Sequence, residues 1–233
     1  MSNKNIDFLT NHYIAHRGIH NNKTIENTKE AFDLAIKMNY PIELDVHLLK
    51  DKEIVVFHDD NLKRLVNINK RLKDYSYKEL LEDNKLFVIP TLKEVLDQVQ
   101  GKVPIIIELK YDNKVGLLEQ EVVKLLDNYQ GKFAIQSFNP FIVNWFKKNR
   151  KDYIRGLLIS NKKNLKARIA RSRLAILISK PDFLSISTKY NINKINKLSK
   201  KHKILIWTVD NKEKYLKYKD KYNLIVENIG EIS

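Results

Sequence analysis

The sequence predicts an α/β protein built as a closed (β/α)8 barrel, on three observations. Short runs rich in Ile, Val and Phe alternate with helical patterns from end to end. No Gly/Ser- or Pro-rich linker interrupts the alternation, so residues 1–233 read as one domain. Polar residues capable of chemistry fall at the C-terminal ends of several different runs, as around a barrel mouth. An open doubly wound sheet would gather them at one switch point instead.

Brevity and β-branched content mark the strands. They are YIAH (13–16), IELDV (42–46), IVVFH (54–58), PIIIEL (104–109), FAIQSF (133–138), IRGLLIS (154–160), DFLSIS (182–187), ILIWTV (204–209) and LIVEN (224–228). That is nine runs for eight staves, so one is misread or forms a hairpin arm. Helical patterns lie between them. Residues 26–38 set Ala31, Leu34, Ala35 and Met38 on one face. Residues 91–99 follow Pro90 and open with Thr91, with Glu94 at capping-box spacing. Residues 139–149, 191–201 and 211–220 complete the series.

Composition narrows the function. With 43% hydrophobic and 30% charged residues, the chain is an ordinary globular one, long enough for a large core. The absence of cysteine excludes a disulfide framework, thiolate metal sites and a Cys nucleophile. The N-terminus lacks the apolar stretch of a signal peptide, and no apolar run approaches the ~18 residues that span a bilayer. The expectation is a soluble, cytoplasmic protein. The net charge of +15 suits an anionic partner. Yet the Lys excess travels with abundant Asn and Ile, as codons from an AT-rich genome produce. The basic segments KKNRK (147–151) and KLSKKHK (197–203) lack interleaved aromatics, so no nucleic-acid partner is expected.

The stretch IELDVHLLKDKEIVVFHDD (42–60) carries the chemistry. Strand side chains alternate, so Glu43 and Asp45 share a face, as Glu108 and Lys110 do on a later strand. Three acids converging on one mouth repel unless a cation neutralises them. All-oxygen ligation in a chain without Cys argues for Mg²⁺ or Ca²⁺ over zinc or copper. A turn over Lys50–Lys52 would set Asp45 close to His58 and leave Glu43 nearby. His16 and His58 at strand tips can serve as general base and general acid near neutrality. Arg17 offers a planar fork for phosphate oxygens and Lys110 a fixed charge. Cation, arginine, lysine and two imidazoles around one pocket describe phosphoryl-ester chemistry. Ser137 has no dedicated base and is not a nucleophile. His47 reads as a surface residue or a supporting neighbour of the site; His20 lies in the loop near the mouth. His12 and His202 read as surface residues, and Trp145 as packing.

HRG (16–18), ENT (26–28), ELDVHLLKDKEIVVFHDD (43–60), PTLKEVL (90–96), IELK (107–110), QSFNP (136–140) and WTVD (207–210) occur in a family order. It resembles that of the glycerophosphodiester phosphodiesterases across almost the whole chain. The resemblance implies a (β/α)8 TIM barrel hydrolysing glycerophosphodiesters to glycerol 3-phosphate and an alcohol with one divalent cation. By position, His16 and His58 would be the acid/base pair, and Glu43, Asp45 and Glu108 the metal ligands. Arg17 and Lys110 would contact phosphate, and Trp207 would line the glycerol end. Residues 59–89 would correspond to a small insertion after the second histidine. Three departures stand out: Ile25 where the family usually has proline, the loss of Thr-Thr-Gly after Arg64, and IVENIGE in place of a Thr-Asp-proline ending.

Two other readings compete. A lysophospholipase D-like enzyme at an anionic membrane surface would keep the chemistry and need an apolar rim, for which NKLFVIP (84–90) is the candidate. A non-catalytic phosphate- or nucleic-acid-binding barrel would not need two histidines beside three acids.

Overall fold

The computed structural model describes residues 4–111, 114–161, 172–227 and 229. All nine expected runs form strands: β1 (Ile14–His16), β2 (Ile42–Leu48), β3 (Ile54–Val56), β4 (Ile105–Leu109), β5 (Phe133–Ser137), β6 (Ile154–Ile159), β7 (Phe183–Ser187), β8 (Lys203–Val209) and β9 (Asn223–Val226). Eight of them pair in parallel in the order β1-β2-β4-β5-β6-β7-β8-β9, and β9 returns to β1 to close the barrel. The ninth, β3, pairs antiparallel with β2. It is a hairpin arm, which resolves the surplus strand.

The helices are α1 (Lys29–Lys37), α2 (Lys63–Val66), α3 (Tyr77–Asp83), α4 (Leu92–Val99), α5 (Leu117–Leu126), α6 (Pro140–Asn149), α7 (Arg173–Ser179), α8 (Ile192–Ser199) and α9 (Lys212–Tyr218). Thr91 and Glu94 close the expected capping box at the start of α4. On α1 the buried residues are Ala31, Phe32 and Ala35, whereas Met38 is 51% exposed. The helix ends at Lys37, so Met38 lies at its cap, beyond the last turn that packs on the sheet. Among the described residues no helix is long and apolar enough to cross a membrane.

Strand alternation divides the core. Ile42, Leu44, Val46, Ile105, Ile107 and Leu109 belong to the main cluster that the helices cover. Ile14, Ile106, Ala134, Phe183, Leu205 and Ile225 make a smaller cluster on the alternate, inward positions. Gly156 permits this inner layer, because a Cβ there would lie 2.3 Å from the Phe183 ring. A separate cluster of Leu49, Val55, Phe57, Leu62, Leu72, Tyr75, Leu80 and Ile89 lies under the segment that follows β3. With an apolar inner layer beneath, the inward positions nearer the strand ends are left for polar side chains.

Candidate active site

The HRG turn sets the first histidine. Arg17 and Gly18 both adopt positive φ, 59° and 77°. A Cβ on Gly18 would lie 2.8 Å from the Ala31 backbone, so glycine is required for this turn to pack on α1. His16 pairs in register with Glu43 of β2, and Asp45 with Glu108 of β4, which sets four of the expected site residues side by side as two cross-strand pairs. The hairpin brings in the second histidine: Leu49 N–H donates to Glu53 O at the turn, and Phe57 N–H donates to Asp45 O at 3.0 Å.

The three acids meet. One oxygen each from Glu43, Asp45 and Glu108 lies within 4.8 Å of the others, and all three side chains are buried. Lys110 Nζ stands 2.6 Å from Asp45 Oδ1 and 2.6 Å from Glu108 Oε1. Arg17 Nε is 3.3 Å from Asp45 Oδ2, and its other end donates to Glu26 at 2.7 Å. Asn27 Nδ2 donates to Asp45 at 3.0 Å, and Gln136 Nε2 to Glu43 at 3.2 Å. Glu43 Oε2 is buried and has no hydrogen-bond partner among the described residues.

Electrostatics follow from this crowding. Burial and the neighbouring Asp45 and Glu108 push the Glu43 carboxyl well above the usual carboxylate range. Burial also raises Glu108, with Asp45 adding to it and Lys110 opposing. Burial would raise Asp45 as well, but Lys110 and Arg17 outweigh it and hold that carboxyl far below its usual range. Lys110 is buried yet raised, because Asp45 and Glu108 more than offset the desolvation. Three acids share too little positive charge, and Glu43 bears the deficit.

The two imidazoles flank this cluster differently. His58 Nδ1 is 2.6 Å from Asp59 Oδ1, and Asp59 Oδ2 accepts from Arg64 Nε at 2.5 Å. Arg64 then reaches Glu26 at 2.6 Å, which returns the chain of contacts to Arg17. Burial, with Lys110 nearby, lowers His58 to about 4. His16 is lowered chiefly by burial and opposed by Glu227. Trp207 is on β8, across the ring of strands from β4. Its Nε1 donates to Ser185 O at 2.9 Å and its ring meets Phe138 edge-on, which together fix the indole.

Sequence reasoning left several participants without a role. Glu26 and Asn27 sit in the quoted ENT motif; Asn27 adopts positive φ (57°), which asparagine tolerates, and aims its amide at Asp45. Thr28 caps α1 by accepting from Ala31 N–H. Asp59 and Arg64 had a signal in HDD and the retained arginine; Gln136 had one in QSF. Glu227 lay in LIVEN with nothing to mark it. His47 is 1% exposed, which removes the surface reading; its Nε2 is 3.3 Å from His58 O, so it supports the His58 segment. The hairpin explains the difference, since pairing with β3 covers that end of β2. Ser137 Oγ donates to Leu109 O at 2.8 Å, a structural role. Trp145 packs on the main core, as expected. Asn228 lies outside the described residues.

A barrel that gathers acids, cationic side chains and imidazoles at the carboxyl ends of its strands has the layout of a phosphate-ester hydrolase. Comparison with known proteins narrows that class. Residues 16–226 match the glycerophosphoryl diester phosphodiesterase family. The protein named "Putative glycerophosphodiester phosphodiesterase YhdW" of Bacillus subtilis is 35% identical over 215 residues, 86% of this chain and 86% of its own. Human lysophospholipase D GDPD1 is 36% identical over 141 residues, 52% of this chain and 42% of its own. The crystal structure of glycerophosphodiester phosphodiesterase from Thermotoga maritima aligns with a TM-score of 0.74 at 27% identity, covering 93% of this chain and 95% of that one. The chain belongs to the glycerophosphoryl diester phosphodiesterase family.

Proposed function

We propose that the protein hydrolyses glycerophosphodiesters to glycerol 3-phosphate and an alcohol, with His16 and His58 as the proton-transfer pair and one divalent cation on Glu43, Asp45 and Glu108. The observation that carries this reading is the buried acid cluster with an orphaned Glu43 oxygen, flanked by two imidazoles. The donor set fits a hard cation: three carboxylates, no nitrogen or sulfur among them, and a carboxyl forced upward for want of positive charge. Bound there, Mg²⁺ or Ca²⁺ supplies Lewis-acid charge for a phosphate oxygen.

The chain's own groups do the rest. Arg17 and Lys110 hold the non-bridging phosphate oxygens by charge. His58 Nδ1–H donates to Asp59, which fixes the tautomer and leaves the Nε2 lone pair to take a proton from the attacking oxygen. As the bond from phosphorus to the alcohol oxygen breaks, His16 delivers a proton to that oxygen. Burial lowers both rings, Lys110 adding to it at His58 against Asp45 and Asp59, and Arg17 adding to it at His16 against Glu227, so the division of labour rests on the tautomer that Asp59 favours. Trp207 lines the glycerol end, and residues 59–89 act as the small insertion beside the mouth.

His16→Ala and His58→Ala are each expected to lower kcat for glycerophosphocholine on the order of 10²–10⁴-fold, with circular dichroism unchanged. A near wild-type rate in either variant sinks the mechanism. Indifference of the rate to EDTA removes the cation.

A cleft of about 310 Å³ beside Lys110 favours a second reading. Leu48, Leu117 and Ile142 supply apolar walls, and Lys50, Lys73 and Lys114 also line it. Such a cleft suits the acyl chain of a lysophospholipid presented at an anionic membrane. Leu86 and Val88 of the NKLFVIP segment are 71% and 61% exposed, which adds apolar surface between α3 and α4. On this reading Leu117→Glu depresses turnover of lysophosphatidylcholine and spares glycerophosphocholine; equal effects on both substrates reject it.

A further inference from the structure

The His16 side of the mouth holds a second group of ligand-type side chains, distinct from the acid cluster. His16 Nδ1 lies 3.8 Å from Glu227 Oε2, and His20 Nε2 lies 3.7 Å from Glu227 Oε1. One donor atom from each of the three falls within 4.8 Å of the others. The pairing of β1 with β9, Ala15 beside Val226, brings the two ends of the chain together here.

What sets this group apart is its unmet bonding. His16 is 9% exposed. Its Nδ1 and the Nε2 of His20 are both buried without a hydrogen-bond partner among the described residues. Buried imidazole nitrogens ordinarily find one. The gaps to Glu227 exceed hydrogen-bond length, yet they approach the spacing of two ligands on a common ion. Ligands about 2.1 Å from a tetrahedral zinc stand roughly 3.4 Å apart.

We propose that His16 Nδ1, His20 Nε2 and the Glu227 carboxylate form a second cation site, suited to Zn²⁺ or another borderline transition ion. Two neutral imidazoles and one carboxylate match that class of ion, whereas Mg²⁺ and Ca²⁺ prefer the all-oxygen set of Glu43, Asp45 and Glu108. Ligation through Nδ1 uses the lone pair on that nitrogen and leaves an Nε2–H that does not release its proton near neutrality. Zinc at this site therefore silences His16. That consequence rests on the role proposed for His16 above; the site itself does not.

The test separates the two. Full-length protein is stripped with chelator, equilibrated with Zn²⁺ in excess Mg²⁺, desalted and assayed for metal by mass spectrometry. Wild type should retain one zinc, and His20→Ala and Glu227→Gln about tenfold less, while Glu43→Gln keeps it. Co²⁺ in place of zinc should give a visible absorption band that those two variants lose. Zinc content equal in wild type and both variants overturns the proposal, as does a wild type that retains none. Loss of zinc in Glu43→Gln alone assigns the ion to the acid cluster and also overturns it. Circular dichroism checks each fold, with His20→Gln read in place of an unfolded His20→Ala. Zinc should inhibit glycerophosphocholine hydrolysis at least about tenfold more in wild type than in His20→Ala. Binding as expected without inhibition refutes the role of His16 and leaves the site standing.

Discussion

The two histidine sides of the mouth are built differently, although each ring stands beside a carboxylate. On the His58 side, imidazole, Asp59, Arg64, Glu26 and Arg17 follow one another through contacts of 2.5–2.7 Å. On the His16 side the nearest carboxylate, Glu227, is 3.8 Å away. The difference traces to sequence distance. Asp59 is the next residue after His58 and Arg64 follows it by five, at the start of α2, so local backbone fixes their geometry. Glu227 reaches His16 only through closure of the barrel by β9 on β1. The fold thus ties one imidazole into a run of short contacts and leaves the other's Nδ1 without a hydrogen-bond partner among the described residues.

The largest effect that sharpens this contrast is expected at Asp59. Asp59→Asn leaves one acceptor oxygen for both Arg64 and His58; with that oxygen on Arg64 the amide NH2 faces His58 Nδ1 and reverses its tautomer, and kcat for glycerophosphocholine should fall on the order of 10²-fold. Glu227→Gln, at a contact too long for a hydrogen bond, should cost less than about tenfold by the same measure. Steady-state kinetics on both variants decide the matter; the reverse ranking breaks the comparison.

The pH dependence of stability gives a middle-sized effect. Burial and Lys110 lower His58 to about 4 in the folded chain, against an unfolded value of about 6.5. Between those values the unfolded state binds a proton that the folded state refuses, so this group's contribution is present above pH ~6.5 and is lost as pH falls towards ~4. Glu43 and Glu108 are raised and act with the opposite sign, which makes the total curve a poor readout. The difference between wild type and His58→Gln isolates the histidine. Its Tm difference should shift against wild type on acidification through that window. A pH-independent difference would mean that His58 charges as readily folded as unfolded.

Much of this was legible from sequence, and for identifiable reasons. The eight barrel strands announce themselves because a parallel barrel buries both faces, and buried strands read as apolar runs; β3, though an antiparallel hairpin arm, reads the same way because all three of its residues are buried. HRG and ENT are legible because Gly18 and Asn27 occupy left-handed backbone positions that few residues tolerate. What escaped was the wiring between motifs. Arg17 and Lys110 read as phosphate contacts, and the structure adds their ion pairs with Asp45, Glu26 and Glu108. The five residues come from four segments, and apart from Glu108 and Lys110 on one strand face no local spacing announces which cation meets which acid. Helix α7 escaped because RLAILIS is nearly continuous in apolar residues, with Leu174 and Leu177 on its exposed side, so no polar stripe marks a helix. The LLEQEVVKLL segment of α5 carries helical spacing, with Leu118, Val122 and Leu126 on its buried side.

The smallest expected effect asks what holds His58 in place. The segment after β3 has its own apolar cluster, and α3 within it begins with a capping box between Ser76 and Glu79. Ser76→Ala should lower stability by about 1 kcal/mol, read by urea denaturation. Because Asp59 and Arg64 grip the ring through bonds that do not pass through α3, kcat should stay within about twofold of wild type. A drop in kcat as large as that of Asp59→Asn would mean that packing of the arm, and not the chain of charge-assisted bonds, makes the His58 side rigid. The contrast with His16 would then lie in which imidazole has a second core behind it, and the loose Glu227 contact would carry no weight in explaining it.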